Sequence, residues 1–153
     1  MERQFTTSVY LVDKSKVLLI QHRKLNKWLP CGGHVEPNET PIEAAHREVM
    51  EESGYEIEIL KDEHLWINQH NARSIERPFM CLLEEIPAYH DKPAHQHIDF
   101  LYVARPIKKT GDGDHAMRWF TLEEVEQLES DKDIFLETQL TIKKILEFIK
   151  GIE

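Results

Sequence analysis

GHVEPNETPIEAAHREVMEESGY, residues 33–55, places its glycines, one arginine and four of its acids at the fixed spacing Gx5Ex7REUxEExGU, where U is a bulky apolar residue. Thr40 is a good N-cap, Pro41 suits the first helical position, and Glu43 follows Thr40 by three, which completes a capping box. The helix is therefore expected to begin at Pro41. Gly54 supplies the left-handed residue that commonly ends a helix, about four turns later at roughly 3.6 residues per turn. At about 100° per residue, Glu48, Glu51 and Glu52 fall within one arc while Ile42, Ala45 and Val49 gather on a neighbouring stripe. One face is expected to pack and another to stay acidic.

Like charges on adjacent turns repel, and in the last turns they also oppose the helix macrodipole. A divalent cation offsets both. Mg²⁺ suits these donors, because it is hard, takes oxygen ligands and tends to bridge one or two carboxylates to substrate phosphates. A solvated acidic face is the usual meaning of a charge cluster taken alone. Such a face does not require Gly33, Glu39, Arg47, Gly54 and the apolar Val49 and Tyr55 at their own offsets.

With those residues in place, the segment resembles the Nudix box of the Nudix hydrolases, Mg²⁺-dependent enzymes that cleave a nucleoside diphosphate linked to another group. Gly33, Glu39, Arg47, Glu48, Glu51, Glu52 and Gly54 match every fixed position, and Tyr55 is an aromatic where an aliphatic residue is more usual. The resemblance implies Glu51 and Glu52 as the main metal ligands, Glu48 as a further ligand or the base for the attacking water, and the Gly32 carbonyl as an additional ligand. It also implies that Arg47 orients the glutamates, with Gly33, Glu39 and Gly54 supporting the turn and the helix. Mn²⁺ would be a substitute cation. The implied fold is an α/β/α sandwich with a mixed sheet. Phosphoanhydride hydrolysis agrees with these roles, since it needs an aligned water, a base and cations on the phosphate oxygens.

At 153 residues the chain fits one domain, 1–153, with a core that needs no staples. A formal charge of −9 gives no long-range attraction to a polyanion, so the expected partner is a small nucleotide rather than a long nucleic acid. Short basic runs at Gln21-His22-Arg23-Lys24 and Lys108-Lys109 either meet phosphates or are ordinary surface charge. No apolar stretch has the length of a membrane span, and the N-terminus lacks the pattern of a secretory signal, so a cytoplasmic protein is expected. Cys31 and Cys81 form no disulfide framework and no CxxC zinc motif. Cys31 borders the Gly32 turn but reads as a packed thiol rather than a nucleophile.

Ser8–Val12 and Val17–Gln21 read as a hairpin around Asp13-Lys14-Ser15. Further strands are expected at Tyr55–Ile59, Phe79–Glu84, His97–Ala104 and Met117–Phe120. Thr121 and Glu124 make a second capping box before a short helix. A last helix is expected from about Ile134 to Ile149, with Leu136, Leu140, Ile145 and Ile149 on its buried side. Mixed helices and strands in this order give a sheet between helices. Exposed strand edges in such a domain also make a homodimer plausible.

Residues 64–97 are rich in histidine, including His64, His70, His90, His95 and His97. On a strand, His95 and His97 share a face, which permits a metal pair, yet no Cys or Asp completes a ligand set and polar surface is the preferred reading. His34 either touches phosphate or caps the turn. Asp112, Asp114 and His115 lie in a glycine-containing loop before Trp119; the resemblance makes this loop a candidate for a late base or ligand, against a surface loop as the plain alternative. Trp28, Trp66, Tyr102 and Phe120 offer base-stacking surfaces but equally suit a core.

Substrate markers of Nudix subfamilies, a proline or a tyrosine downstream of the box, would fall near His70–Arg73, where neither occurs. A nucleoside triphosphate or related small nucleotide is left by elimination. Two other classes share the domain. Isopentenyl diphosphate isomerase resembles a longer protein whose cysteine context is lacking here, and non-catalytic nucleotide sensors often lose box glutamates that this chain retains.

Overall fold

The structure, a computed structural model, describes residues 1–61 and 65–152; His64 lies outside that set. Eight strands, β1 (Arg3–Asp13), β2 (Lys16–His22), β3 (Lys27–Leu29), β4 (Cys31–His34), β5 (Tyr55–Ile59), β6 (Met80–Ile86), β7 (His95–Lys109) and β8 (Met117–Thr121), share one sheet with three helices, α1 (Pro41–Ser53), α2 (Leu122–Gln127) and α3 (Leu136–Ile152).

β1 is the hub. It runs parallel to β7 over Arg3–Leu11, antiparallel to β4 over Thr6–Val9, and antiparallel to β2 over Leu11–Asp13. Lys14 and Ser15 both take positive φ, which is the type I′ geometry that joins two adjacent strands tightly. The remaining strands extend this frame. β2 carries β3 and β8, and β7 carries β5 and β6, so the sheet is mixed.

Alternation along the strands sorts side chains to two faces. Val9, Leu11, Leu18, Ile20, Tyr102 and Ala104 pack with Ile42, Ala45 and Val49 of α1. Tyr10, Val12, Val17, Leu19, Leu101 and Val103 pack with Ile142, Ile145 and Ile149 of α3. Helices cover both faces, and the α/β/α sandwich expected from the sequence is present. Both capping boxes form as written: Thr40 Oγ1 accepts from the Glu43 N–H and Thr121 Oγ1 from the Glu124 N–H.

Three expectations need correction. α3 begins at Leu136 and runs to Ile152, so Ile134 precedes it, buried and bridged to Ser130. Leu136 and Leu140 are exposed, because Thr138, Ile142, Ile145 and Ile149 set the buried stripe and residues two positions from Thr138 point away from it. β3 and β4 were not expected as strands, and β1 and β7 are longer than their apolar stretches because each is paired along most of its length.

Candidate functional site

α1 presents its acids to β4 and to the loop before β8. Its C-terminus ends at Gly54 with φ 77°, whose N–H donates to the Met50 carbonyl. Arg47 projects from the middle of the helix and holds four groups. Its Nε and Nη2 grip the Glu39 carboxylate at 2.6 and 2.9 Å; Nη1 reaches Glu48 Oε1 at 2.9 Å and Glu51 Oε2 at 3.3 Å; Nη2 also donates to the His34 carbonyl at 3.1 Å. The planar guanidinium suits this, since its donors fork rigidly toward carboxylates. These bonds hold the Glu39 carboxyl below the usual carboxylate range and raise the Arg47 guanidinium further above its already high value.

The acids differ sharply in environment. Glu52 is buried, Glu48 partly so, and Glu51 is exposed. The acidic face expected from helical phase is therefore half interior. Glu52 Oε1 accepts from the Gly32 N–H at 2.8 Å. Burial pushes the Glu52 carboxyl up to about 8 against the Gly32 hydrogen bond, with Glu48, Asp114 and Glu51 adding to the rise. Burial also raises Glu48, and Arg47 opposes it.

Gly32 and Gly33 make room for this approach. A Cβ on Gly32 would lie 2.2 Å from the Thr7 carbonyl oxygen on β1, and one on Gly33 would lie 2.4 Å from Glu48 Oε1. The N–H and C=O of one strand residue leave on the same side. Because the Gly32 N–H faces Glu52, its carbonyl shares that side.

The loop of residues 110–116 closes the far end. Thr110 N–H donates to the Gly54 carbonyl at 2.8 Å, Asp114 N–H to Glu51 at 3.0 Å and His115 N–H to Glu52 at 3.3 Å. These bonds satisfy carbonyls that a helix end leaves unpaired. His115 Nε2 stands 3.9 Å from Glu52 Oε2, and its Nδ1 bonds Asp114. Asp112 is exposed and makes no bond to the glutamates among the described residues. Arg23, from the basic run after β2, donates to the Asp114 carbonyl at 2.6 Å.

Every expected box residue thus meets in one place, together with Asp114 and His115. Arg23, read from the sequence as meeting phosphate or as surface charge, braces this loop instead, and the residue not anticipated is Gly113, which has φ 70° and whose Cβ would lie 2.2 Å from the Glu52 carbonyl oxygen. A glycine beside two aspartates was the available signal.

A family model described as NUDIX domain matches residues 2–139. The chain belongs to the Nudix hydrolase family. A solved Nudix-family hydrolase from Clostridium perfringens is 28% identical with a TM-score of 0.76, covering 97% of this chain and 99% of that one. A Nudix hydrolase from Nitrosomonas europaea shares the fold at 16% identity, with a TM-score of 0.64 over 96% of this chain and 90% of that one. A Bacillus subtilis (strain 168) protein provisionally named as an 8-oxo-dGTP diphosphatase is 38% identical over 47 residues, which is 31% of this chain. The match spans about a third of that protein, 32% of its length.

Nudix hydrolases generally use divalent metals such as Mg²⁺, and the donor set of this Nudix chain suits one. Arg47 and Gly32 occupy one oxygen each of Glu48, Glu51 and Glu52, and among the described residues the second oxygen of each accepts no hydrogen bond. These are hard donors of the kind Mg²⁺ takes. No three such side chains among the described residues already encircle a common point, so the fit lies in donor chemistry.

Other candidates go elsewhere. Cys31 is fully buried in the α1-side core, and burial pushes its thiol up. Tyr102 and Phe120 are core residues, and Trp28 packs edge-on against Phe120. The His34 ring bonds Gln4 at 2.7 Å, while its carbonyl serves Arg47. Lys108 pairs in register with Glu56, and Lys109 lies over the Tyr55 ring. Among the described residues no helix is long and apolar enough to cross a membrane.

Proposed function

We propose that this chain works as a single Nudix domain, residues 1–153, hydrolysing a phosphoanhydride bond in a nucleoside diphosphate linked to another group. The substrate is a nucleoside triphosphate or related small nucleotide, and the cation is Mg²⁺, with Mn²⁺ as a substitute. The observation that carries this reading is the Arg47 hub, which holds Glu39, Glu48 and Glu51 together while the Gly32 N–H grips Glu52.

Glu51, Glu52 and the Gly32 carbonyl would hold the cation, with Glu48 as a further ligand or as the base. The cation supplies charge neutralisation on phosphate oxygens and a lowered pKa for bound water. Arg47 fixes one oxygen of Glu48 and leaves Oε2 to take a proton as water attacks phosphorus and the bridging oxygen departs with its phosphate. His115 and Asp114, docked over Glu52, would steady that carboxylate or serve as the late base or ligand, a role their contacts support. Two unpaired cysteines, one of them exposed, suit a reducing compartment, and we place the protein in the cytoplasm.

A panel of nucleotides assayed with and without Mg²⁺ for phosphate, pyrophosphate and nucleoside monophosphate tests the reading. The panel includes an 8-oxo-guanine nucleotide, on the strength of the Bacillus subtilis relative's name. Turnover that needs Mg²⁺ and is lost in folded Glu52→Gln is expected. Unchanged turnover in that variant would sink the assignment.

A further inference from the structure

His95 and His97 stand outside the glutamate site, on one face at the start of β7. Their Nε2 atoms lie 3.2 Å apart. His95 Nδ1 lies 3.1 Å from the Pro93 carbonyl oxygen, within hydrogen-bond reach, whereas His97 Nδ1 faces Glu84 Oε1, on its cross-strand partner in β6, at 3.9 Å, beyond it. An imidazole whose Nδ1–H faces an acceptor carries its lone pair on Nε2. Between two nitrogens so close lies either the Nε2–H of one ring, as a hydrogen bond between neutral imidazoles, or a cation.

Burial, then the neighbouring His34 and His95 rings, lower His97 to about 4, so its ring is neutral at neutral pH. In the Nδ1–H tautomer it offers its Nε2 lone pair to a cation beside that of His95. A metal ion fits the spacing. Two Zn–N bonds of about 2.0–2.1 Å at a roughly tetrahedral angle set their nitrogens about 3.3 Å apart. Imidazole favours zinc, nickel and copper, whereas the carboxylates of α1 favour magnesium. The Pro93 carbonyl on His95 Nδ1 fits this role, since ligating histidines direct the other ring nitrogen at a carbonyl or carboxylate, and Glu84 stands on the corresponding side of His97.

We propose that the paired Nε2 atoms of His95 and His97 bind a transition-metal ion of the Zn²⁺, Ni²⁺ or Cu²⁺ class, separately from the hard-cation site on α1. Both rings are part exposed, so water completes the coordination. Among the described residues no third His, Cys, Asp or Glu joins them, which makes this an open site of modest affinity. Glu84 acts on it through His97, as a positioning residue.

Calorimetric titration of the whole chain with Zn²⁺, in a large excess of Mg²⁺ and without nucleotide, tests this. One ion per chain is expected. His95→Ala and His97→Ala should each weaken binding more than tenfold, and Glu84→Gln by about tenfold, the scale of an outer-partner loss. Glu48→Gln, Glu51→Gln and Glu52→Gln should leave it unchanged. Absence of saturable binding, retention in the folded histidine variants, or loss in the glutamate variants would overturn the proposal. If a histidine variant fails to fold, the electron paramagnetic resonance spectrum of Cu²⁺ bound to the unaltered chain decides: coupling to two imidazole nitrogens supports the site, and one or none refutes it. Hydrolysis plays no part in these readouts, so they stand or fall apart from the proposed function.

Discussion

Glu48 fills the space that any side chain on Gly33 would need: a Cβ there would lie 2.4 Å from its Oε1 and 2.6 Å from its Cδ. The obstructing atoms are the end of a flexible side chain, so Gly33→Ala is expected to fold and to push the Glu48 carboxylate aside. Misplacement by about 1 Å can cost on the order of a hundredfold in rate. Turnover should fall on that scale with the melting temperature nearly unchanged. A variant of normal activity would show that Glu48 has no positional role.

Arg47→Lys preserves the charge and loses the fork. One ammonium cannot bond both Glu39 oxygens, Glu48, Glu51 and the His34 carbonyl together. Leaving part-buried acceptors unpaired costs roughly 1–3 kcal/mol. Denaturant unfolding should show that loss, and turnover should fall even where the variant is fully folded. Wild-type stability in Arg47→Lys would mean the network is decorative.

Much of this site was legible because its signals are local. Thr40, Glu43 and Gly54 fix α1 by hydrogen bonds within a few residues, and helical phase alone puts Glu48, Glu51 and Glu52 on one arc. What the sequence hid comes from distant parts of the chain. Glu52 is buried because β4 and the loop of residues 110–116 close over it, and nothing in helical spacing predicts either. Pro30, Gly32 and Gly33 carry turn chemistry, yet β4 is a strand because β1 offers it a paired edge. Leu136 and Leu140 look like core, but Ser130, Gln139 and the buried Ile134 set the entry and phase of α3 instead.

Stability should depend on pH through the carboxyls on the α3 face. Burial, then Asp99 and Glu137, raise Glu84 to about 8 from an ordinary 4.5. The folded chain therefore holds that proton more tightly than the unfolded chain does. The stabilising contribution is complete below the unfolded value, erodes as pH rises, and is gone above about 8. Glu84→Gln is neutral throughout, so its melting temperature should decline less than wild type across this window and lie above it at alkaline pH. Parallel profiles for the two proteins would refute the assignment.

Gly113 ties the loop of residues 110–116 to α1 where a side chain cannot fit. It has φ 70°, and its Cβ would lie 2.2 Å from the Glu52 carbonyl oxygen and 2.7 Å from Ser53 Cα, backbone that cannot rotate away. Gly113→Ala must therefore lift the loop, breaking the bonds from Asp114 N–H to Glu51 and from His115 N–H to Glu52. Strain at a positive φ costs about 1–3 kcal/mol. Gly111 supplies the control, since its Cβ would meet nothing within 4 Å. Gly113→Ala should lower both the melting temperature and turnover, whereas Gly111→Ala should change neither appreciably. Arg23→Ala removes only the exposed bond to the Asp114 carbonyl and should fall between them. If Gly113→Ala melts and turns over like Gly111→Ala, the docked loop does not govern Glu52.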